Sequence, residues 1–167
     1  MTDRRLTPAN GRVAAMHLAG TVAAEKYLEG WPMTVAAEVL DLCDAPHGRR
    51  DRQLLSGAGV TVFEDHKDWS FIQAADGYVG YVPTADLSPP VPVTHSVGTI
   101  ATHSYAAEDF KSDVRHSLPF GAHVQVTDER RKYFETNAGF IPKKHLRDLD
   151  RPFTDPATVA QLHFGAP

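Results

Sequence analysis

A repeated pattern of β-strand residues limits the fold of this chain more than any other feature of its sequence. The pattern Leu-x-x-Gly-x-x-Val-x-Val begins at Leu54 and returns at Leu118, an offset of 64 residues. A second pattern, aromatic-aliphatic-Pro-x-x-x-Leu, begins at Tyr81 and returns at Phe140, an offset of 59 residues. Alternating apolar residues separated by turn residues are typical of short β-strands. The chain is therefore predicted to contain two copies of one small β unit.

The length of the chain agrees with two small units. It has 167 residues, of which 42% are hydrophobic, so each repeat has about 60 residues and buries roughly 60% of its unfolded surface. The segment 88–92, Ser-Pro-Pro-Val-Pro, is too rich in proline for a helix or central strand and is predicted to be the spacer between the units.

The remaining elements are predicted from local patterns. Val13–Leu18 is expected to form a short helix, and residues 21–30 either a strand or a short helix. The first strand of the first unit is expected at Val39-Leu40, followed by a long polar loop over residues 43–52. A C-terminal helix is expected to begin at Thr154 or Asp155 and to stop at Gly165 and Pro167, with Val159, Leu162 and His163 on one face.

Charge and composition exclude several classes of protein. The net charge of −4 provides no basic surface for a phosphate backbone, so nucleic acid is not an expected partner. No apolar run approaches the roughly 20 residues of a membrane span, and no signal peptide is recognisable. The single cysteine, Cys43, excludes an internal disulfide. A cytoplasmic protein without membrane attachment is predicted.

Several motifs together resemble one family. They are Pro8-Ala-Asn-Gly-Arg-Val-Ala-Ala15, Gln53-Leu-Leu-x-Gly57, Asp76-Gly-Tyr-Val-Gly-Tyr81, Thr94-His95, Thr102-His-Ser-Tyr105, Asp109-Phe-Lys-Ser112, His145-Leu146, Asp155-Pro-x-x-Val159-Ala and Phe164-Gly-Ala-Pro167. The arrangement is similar to the tandem bacterial SH3 domains that precede the catalytic domain in NlpC-family cysteine peptidases of the murein-peptide endopeptidase, dipeptidyl-peptidase VI-like, type. The resemblance covers nearly the whole chain.

The resemblance implies an all-β fold of two tandem SH3-like barrels with an N-terminal extension and a short C-terminal helix. The implied organisation is an extension packing on the barrels at 1–30, a first bacterial SH3 domain at 31–89 and a second at 93–148. Residues 149–167 are then a linker and the start of a peptidase domain that is missing from this chain. The family's catalytic motifs do not occur here, so no catalytic residue and no cofactor are predicted, and the chain alone is expected to hydrolyse nothing.

The family also implies a binding role for the first unit. There, the unit closes one side of the peptidase cleft and helps to bind the free amino terminus of an L-Ala-γ-D-Glu-diamino acid peptide. The tyrosine contact maps onto Tyr78, and the position of the glutamate contact is Ala58 here. Since an ammonium group in a cleft needs a nearby carboxylate, another anion is expected to replace that glutamate, from Glu64, from Asp65 or from the absent peptidase domain. Trp69 and Tyr81 complete the predicted substrate-binding residues.

Each candidate residue also has a structural interpretation. Trp69, Tyr78 and Tyr81 alternate on paired strands, where aromatic residues usually belong to the core. Cys43 has no readable base or cationic neighbour and is interpreted as a structural thiol. Histidines cluster in the second half of the chain, but their spacings match no zinc signature, so no metal site is predicted. They are His95, His103, His116 and His123.

Three hypotheses about function remain open at this stage. The first is the recognition and targeting region of a murein-peptide cysteine endopeptidase, whose partners are a murein-derived peptide and an intramolecular peptidase domain. The second is a stand-alone, non-catalytic SH3-type module that binds a peptide or cell-wall fragment. The third is a structural role in assembly, with the C-terminal helix docking another subunit.

Overall fold

The fold of the chain is all-β, as predicted. The structure is a computed structural model and describes residues 3–151 and 155–164. Within those residues the strands are β1 (Val13–Ala15), β2 (Lys26–Leu28), β3 (Trp31–Val35), β4 (Val39–Cys43), β5 (Arg50–Leu55), β6 (Gly59–His66), β7 (Trp69–Ala74), β8 (Val79–Pro83), β9 (Leu87–Ser88), β10 (His95–Val97), β11 (Ala101–Tyr105), β12 (Val114–Pro119), β13 (His123–Val124), β14 (Val126–Glu129), β15 (Tyr133–Thr136), β16 (Gly139–Pro142) and β17 (Leu146–Asp148). Short 3-10 helices occupy Arg4–Leu6, Met16–Leu18, Thr84–Asp86 and Lys143–His145, and one α-helix, α1, spans Pro156–His163.

The contacts between residues divide the described chain into two compact units. The first contains residues 3–54 and 58–91, and the second contains residues 55–57, 92–151 and 155–164. The predicted domain boundaries themselves stay predictions.

The first unit is organised around a sheet with the strand order β5-β4-β8-β7-β6-β3-β9. One face of this sheet forms the main core, in which Leu42 and Ile72 have no solvent exposure. The other buried members are Val35, Leu40, Leu54, Val60, Val62, Ala74 and Val82. These are mostly β-branched or aliphatic residues, the types that pack best on a pleated surface.

The N-terminal extension packs on the opposite face of that sheet. Its strands β1 and β2 pair in parallel, and Val13 and Ala15 of β1 join a second apolar cluster with Phe63, Phe71 and Val79. Because both faces of β7 and β8 are covered, their residues are buried in both directions of the pleat.

The second unit has a sheet with the order β12-β11-β16-β15-β14 and a smaller sheet with the order β13-β10-β17. They enclose their own core, in which Ile141 and Ala122 are completely buried. The other members are Val97, Leu118, Val124 and Leu146.

The two copies of the repeated sequence share part of their local structure. Gly57 and Gly121 both follow a strand in the left-handed conformation, with φ of 80° and 84°, which glycine adopts without strain. The strands β8 and β16 both end at the repeated proline and continue into a 3-10 helix and a short strand. The copies differ at their valines, since Val60 and Val62 share strand β6 whereas Val124 and Val126 lie on the separate strands β13 and β14.

Several local predictions were wrong. Residues 13–15 are a strand, and only Met16–Leu18 is helical, as a 3-10 turn. The segment 21–30 contains strand β2, one of its two predicted alternatives, so that prediction is confirmed. Strand β3 precedes the predicted first strand, and the polar loop is short because β5 already begins at Arg50.

The C-terminal helix agrees with its predicted start. Asp155 is the N-cap, and its carboxylate accepts a hydrogen bond of 2.9 Å from the N–H of Ala157. The alternative cap Thr154 and the predicted stop residues Gly165 and Pro167 lie outside the described residues. None of the helices described in this chain has the length and apolar character needed to cross a membrane.

Candidate functional site

The predicted binding residues lie on opposite faces of the sheet that contains the β7–β8 hairpin. In the register of these strands, Trp69 lies opposite Pro83 and Phe71 opposite Tyr81. Because side chains alternate between faces, Trp69, Phe71 and Tyr81 share the face on which the N-terminal extension packs. Their chain neighbours Ile72 and Val82 point into the main core.

Aromatic rings form a row on that outer face. The ring centroids of Phe63 and Phe71 lie 6.4 Å apart, and those of Phe71 and Tyr81 lie 5.1 Å apart at an angle of 43°. Phe63 and Phe71 are buried, whereas Tyr81 is partly exposed at the end of the row. Tilted pairs at this distance are favourable, so the row holds the Tyr81 ring in place.

A charged cluster lies beside the aromatic row. Glu64 of β6 is opposite Phe71 in the strand register, and its carboxylate accepts hydrogen bonds of 2.8 and 2.7 Å from the guanidinium of Arg12. Asn10 donates a further hydrogen bond of 2.9 Å from its side-chain amide. The hydrogen bonds from Arg12 hold the pKa of Glu64 below its ordinary value. The cluster fixes the N-terminal extension against the sheet.

A cleft of ≈ 270 Å³ opens next to these groups. Tyr81 and the carboxylate-bearing Asp44 contribute its polar side chains near strand β8, and Phe71 and Val79 contribute apolar surface. The remaining lining residues are Arg4, Ala9, Asn10 and Gly80.

The position of Asp44 follows from a close approach of two strands. Cys43 is opposite Tyr81 in the β4–β8 register, and a Cβ atom at Gly80 would lie only 2.6 Å from the carbonyl oxygen of Cys43. Glycine therefore allows β4 to come close to β8. Asp44 follows directly, and its Oδ1 atom accepts a 2.8 Å hydrogen bond from the N–H of Arg49.

The polar groups of the cleft are available to a ligand. The hydroxyl of Tyr81 makes no hydrogen bond to any residue that the structure describes, and Asp44 forms no ion pair within the same residues. The cation in the cleft, Arg4, is already paired with Asp51 at 2.7 Å. The cleft therefore offers a carboxylate, a hydroxyl and an aromatic face to a positively charged group.

The other predicted residues occupy different surroundings. Tyr78 and Ala58 are partly buried and pack against the main core. The guanidinium of Arg52 lies 4.6 Å from the centroid of the Tyr78 ring and also pairs with Asp76. The guanidinium of Arg52 thus already covers the face of the Tyr78 ring, which was predicted to contact an ammonium group.

Trp69 is at the far edge of the same outer face as Tyr81. Its ring meets His47 edge to face, with centroids 5.0 Å apart. The structure therefore brings Trp69 and Tyr81 to one face and leaves Tyr78 and Ala58 on the core side.

Sequence reasoning missed Asn10, Arg12 and Asp44. The first two belong to the N-terminal motif Pro8–Ala15, to which no role was given, and Asp44 belongs to a segment interpreted only as a polar loop. Their positions in the chain are separated from Glu64 and Tyr81 by long stretches, so no local spacing indicated the grouping. Glu64, named as one possible anion, is engaged by Arg12.

Cys43 and the histidines provide no second site. Burial, followed by the charges of Asp41 and Asp44, raises the pKa of the Cys43 thiol, which opposes formation of a thiolate. The side chain of His145 is within 2.8 Å of the Thr102 hydroxyl. Among the described residues, no three His, Cys, Asp or Glu side chains are grouped as a metal site requires.

Comparison with known proteins agrees with this architecture. Residues 42–87 match the family model described as the bacterial dipeptidyl-peptidase Sh3 domain. This range contains Asp44, Glu64 and Tyr81 but not the N-terminal extension. No curated protein sequence matches the chain.

The fold is similar to that of an NlpC/P60 family protein from Bacillus cereus, with a TM-score of 0.63 and 13% sequence identity. The match covers 79% of this chain and 63% of that chain, so this chain spans less than two thirds of its length. NlpC2 and NlpC1 from Trichomonas vaginalis align with TM-scores of 0.32 and 0.34, at 9% and 10% identity. Those alignments cover 71% and 72% of this chain and 48% and 46% of theirs.

At such low identity the likeness to the Bacillus cereus protein concerns the fold alone. The family match confirms a bacterial SH3 domain in the first unit, whereas a second SH3 domain stays a prediction. Residues 42–87 of this all-β chain therefore form a bacterial SH3 domain of the dipeptidyl-peptidase type.

Proposed function

We propose that this chain is the substrate-recognition region of a murein-peptide cysteine endopeptidase acting on L-Ala-γ-D-Glu-diamino acid peptides, and that the cleft at Asp44 and Tyr81 receives the peptide's free amino terminus. The observation that supports this proposal is the pairing of an available carboxylate with an available phenol hydroxyl on an aromatic surface. The dipeptidyl-peptidase type of the SH3 domain supports the substrate class.

The charges of the cleft favour an ammonium group. An ammonium group that leaves water needs a compensating carboxylate. Asp44 supplies it here, because Ala58 occupies the position of the family's glutamate. Arg4 does not oppose the ligand fully, since Asp51 neutralises it. The aromatic face of Tyr81 adds a cation–π contact of about 0.5 to 2 kcal/mol.

The remaining parts of the proposal follow from the predicted family. The catalytic groups are supplied by a peptidase domain in the same parent protein, and the reaction takes place in the cytoplasm, where murein peptides are recycled. The chain alone is then non-catalytic. Measurable release of L-Ala-γ-D-Glu from a murein tripeptide by this chain, retained after further purification, would contradict that part.

Calorimetric titration with L-Ala-γ-D-Glu-meso-diaminopimelate tests the recognition site. Asp44→Asn retains an oxygen for the Arg49 N–H but removes the charge, and it is expected to weaken binding by about tenfold or more, the value of a charge-assisted hydrogen bond. Tyr81→Phe retains the ring and is expected to weaken binding less. Asp113→Asn, on an exposed loop of the second unit, is the matched control.

The same tripeptide acetylated at its alanine nitrogen keeps the free amine of diaminopimelate but has no terminal ammonium group. It is expected to bind no more tightly to the native chain than the free peptide does to Asp44→Asn. Equal affinity of the native chain for both forms would overturn amino-terminal recognition. Micromolar binding to the chain alone would mean that the site is complete within this chain, whereas binding only in the peptidase-linked protein would mean that the peptidase domain supplies part of it.

A further inference from the structure

The second unit contains a separate cleft of ≈ 530 Å³ with an aromatic floor. The rings of Tyr105 and Tyr133 meet edge to face, with centroids 6.5 Å apart at 89°. Pro142 lies opposite Tyr133 in the strand register and extends the floor. Phe110, from the loop over residues 106–113, also lines the cleft and is 67% exposed. The Phe110 ring therefore offers apolar surface to a ligand in this cleft.

Positive charges surround this floor. Arg131 and Lys132 come from the turn between β14 and β15, and Lys143 and Lys144 from the 3-10 helix after β16. Lys143 is paired with Glu129 and lies 5.4 Å from the Phe134 ring. The other three cations form no ion pair with any residue in the ranges 3–151 and 155–164. A chain with net charge −4 thus concentrates uncompensated positive charge at one cleft.

The imidazole of His145, which also lines the cleft, is neutral. Burial, and to a smaller extent Lys144, lowers the pKa of His145. Its ring nitrogen Nδ1 lies 2.8 Å from the hydroxyl of Thr102, which fixes the imidazole. The charge that the cleft presents to a ligand is therefore that of the lysines and the arginine.

We infer that this cleft binds a short acidic peptide in an extended conformation, with its carboxylates on Arg131, Lys132 and Lys144 and an apolar or aromatic side chain between Phe110 and the two tyrosines. The alternation of cations and rings fits a peptide in which carboxylates flank an apolar residue. This inference concerns a different unit from the Asp44 cleft and does not depend on the proposed function.

Charge around the cleft favours a peptide over a nucleic acid. The loop that contains Phe110 also contains Glu108, Asp109 and Asp113. Together with the net charge of −4, these carboxylates repel a long polyanion, whose binding depends on many phosphate contacts. A short ligand with separated carboxylates can place them on the cations while only its apolar side chain contacts this loop, at Phe110.

Titration of the ¹⁵N-labelled chain with the peptide acetyl-Glu-Pro-Tyr-Glu-Glu-amide, followed by NMR, tests this inference. Saturable shifts are expected at Tyr105, Phe110, Tyr133 and Lys144. The combined substitution Arg131→Gln, Lys132→Gln and Lys144→Gln is expected to weaken binding about tenfold, the effect of three exposed ion pairs. Lys26→Gln, Arg49→Gln and Lys67→Gln, in the first unit, make the matched control with the same loss of charge.

Binding measurements with a Phe110 variant, an uncharged peptide and an oligothymidylate test the proposed peptide site further. Phe110→Ala, an exposed position whose change leaves the cores intact, is expected to weaken binding several-fold. The peptide with Gln in place of every Glu is expected to bind at least about tenfold more weakly. Tighter binding of a short oligothymidylate, equal binding of the Gln peptide, or equal affinity of the triple variant and its control would overturn the inference.

Discussion

The surroundings of Cys43 lower the reactivity of its thiol. Its thiol is 8% exposed, and burial together with Asp41 and Asp44 raises its pKa. The reactive species is the thiolate, so we expect a native-state reaction with a disulfide reagent at pH 8 to be about tenfold or more slower than in concentrated urea. Absorbance of the released thiolate measures both rates, with Cys43→Ser as the blank. Equal rates in both states would show that the thiol is accessible and reactive.

Glu64 makes stability depend on pH through its ion pair with Arg12. Its folded-state pKa is depressed, so the stabilisation is present above the unfolded pKa of about 4.3 and is lost as pH falls through the folded pKa. Glu64→Gln is therefore expected to lower the free energy of unfolding by about 1 kcal/mol at pH 7, a value discounted for partial exposure. The difference from the native chain should be smaller at pH 3 than at pH 7.

Urea unfolding at the two pH values measures that difference. Glu29→Gln is the matched control, because Glu29 is exposed and forms no ion pair within the described part of the chain. A difference that stayed constant or grew as pH fell would contradict the assigned ion pair.

At the scale of elements, the contact of β4 with β8 depends on Gly80. An alanine Cβ there would lie 2.6 Å from the Cys43 carbonyl oxygen and 2.9 Å from Leu42 Cγ. Since both neighbours are buried, we expect Gly80→Ala to lower the free energy of unfolding by about 1–3 kcal/mol. It should also change the amide NMR shifts of Asp44 and Tyr81, because the two strands must separate.

Gly59→Ala on β6 is the control for that experiment. A Cβ at Gly59 meets nothing within 4 Å, so the variant is expected to be neutral within about 0.5 kcal/mol or slightly more stable. Equal destabilisation by both substitutions would mean that the loss of glycine, rather than the strand contact, causes the effect.

At the scale of the whole molecule, each unit has its own buried core. Ile72 in the first unit and Ile141 in the second both have 0% exposure. Each Ile→Ala substitution is expected to lower the free energy of unfolding by about 2–5 kcal/mol, because it leaves a cavity. Hydrogen exchange should locate the loss of protection in the unit that contains the substitution. Equal loss in both units after either change would show that the chain unfolds as one cooperative body.

The all-β class was predictable because it depends on local information. Alternating apolar residues and the turn at Asp76-Gly77 define the β7–β8 hairpin, and Gly77 indeed has a positive φ of 89°. Strand β3 was missed because it contains Pro32, which usually argues against a strand. The structure resolves this conflict. Pro32 pairs with Thr61 of β6 on one side, but β9 on the other side pairs only with Thr34 and Val35, so no strand needs an N–H donor from Pro32 there.

The candidate site was predictable only in part. Tyr81 was among the predicted binding residues, and the structure places it in a cleft, whereas its role in binding stays a prediction. Tyr78 is separated from it by three positions, yet it packs on the core side with Arg52 over its ring. The motif alone did not indicate this difference, because the environment of each ring depends on residues elsewhere in the chain.

By itself, the sequence of this protein determined the β class and the main turns. These follow from interactions between residues that are close in the chain. Only the tertiary structure decided that residues 13–15 form a strand and that Asn10 and Arg12 meet Glu64. It alone placed Asp44 beside Tyr81. Long-range packing and charge pairing bring these groups together, and neither leaves a periodic pattern in a single sequence.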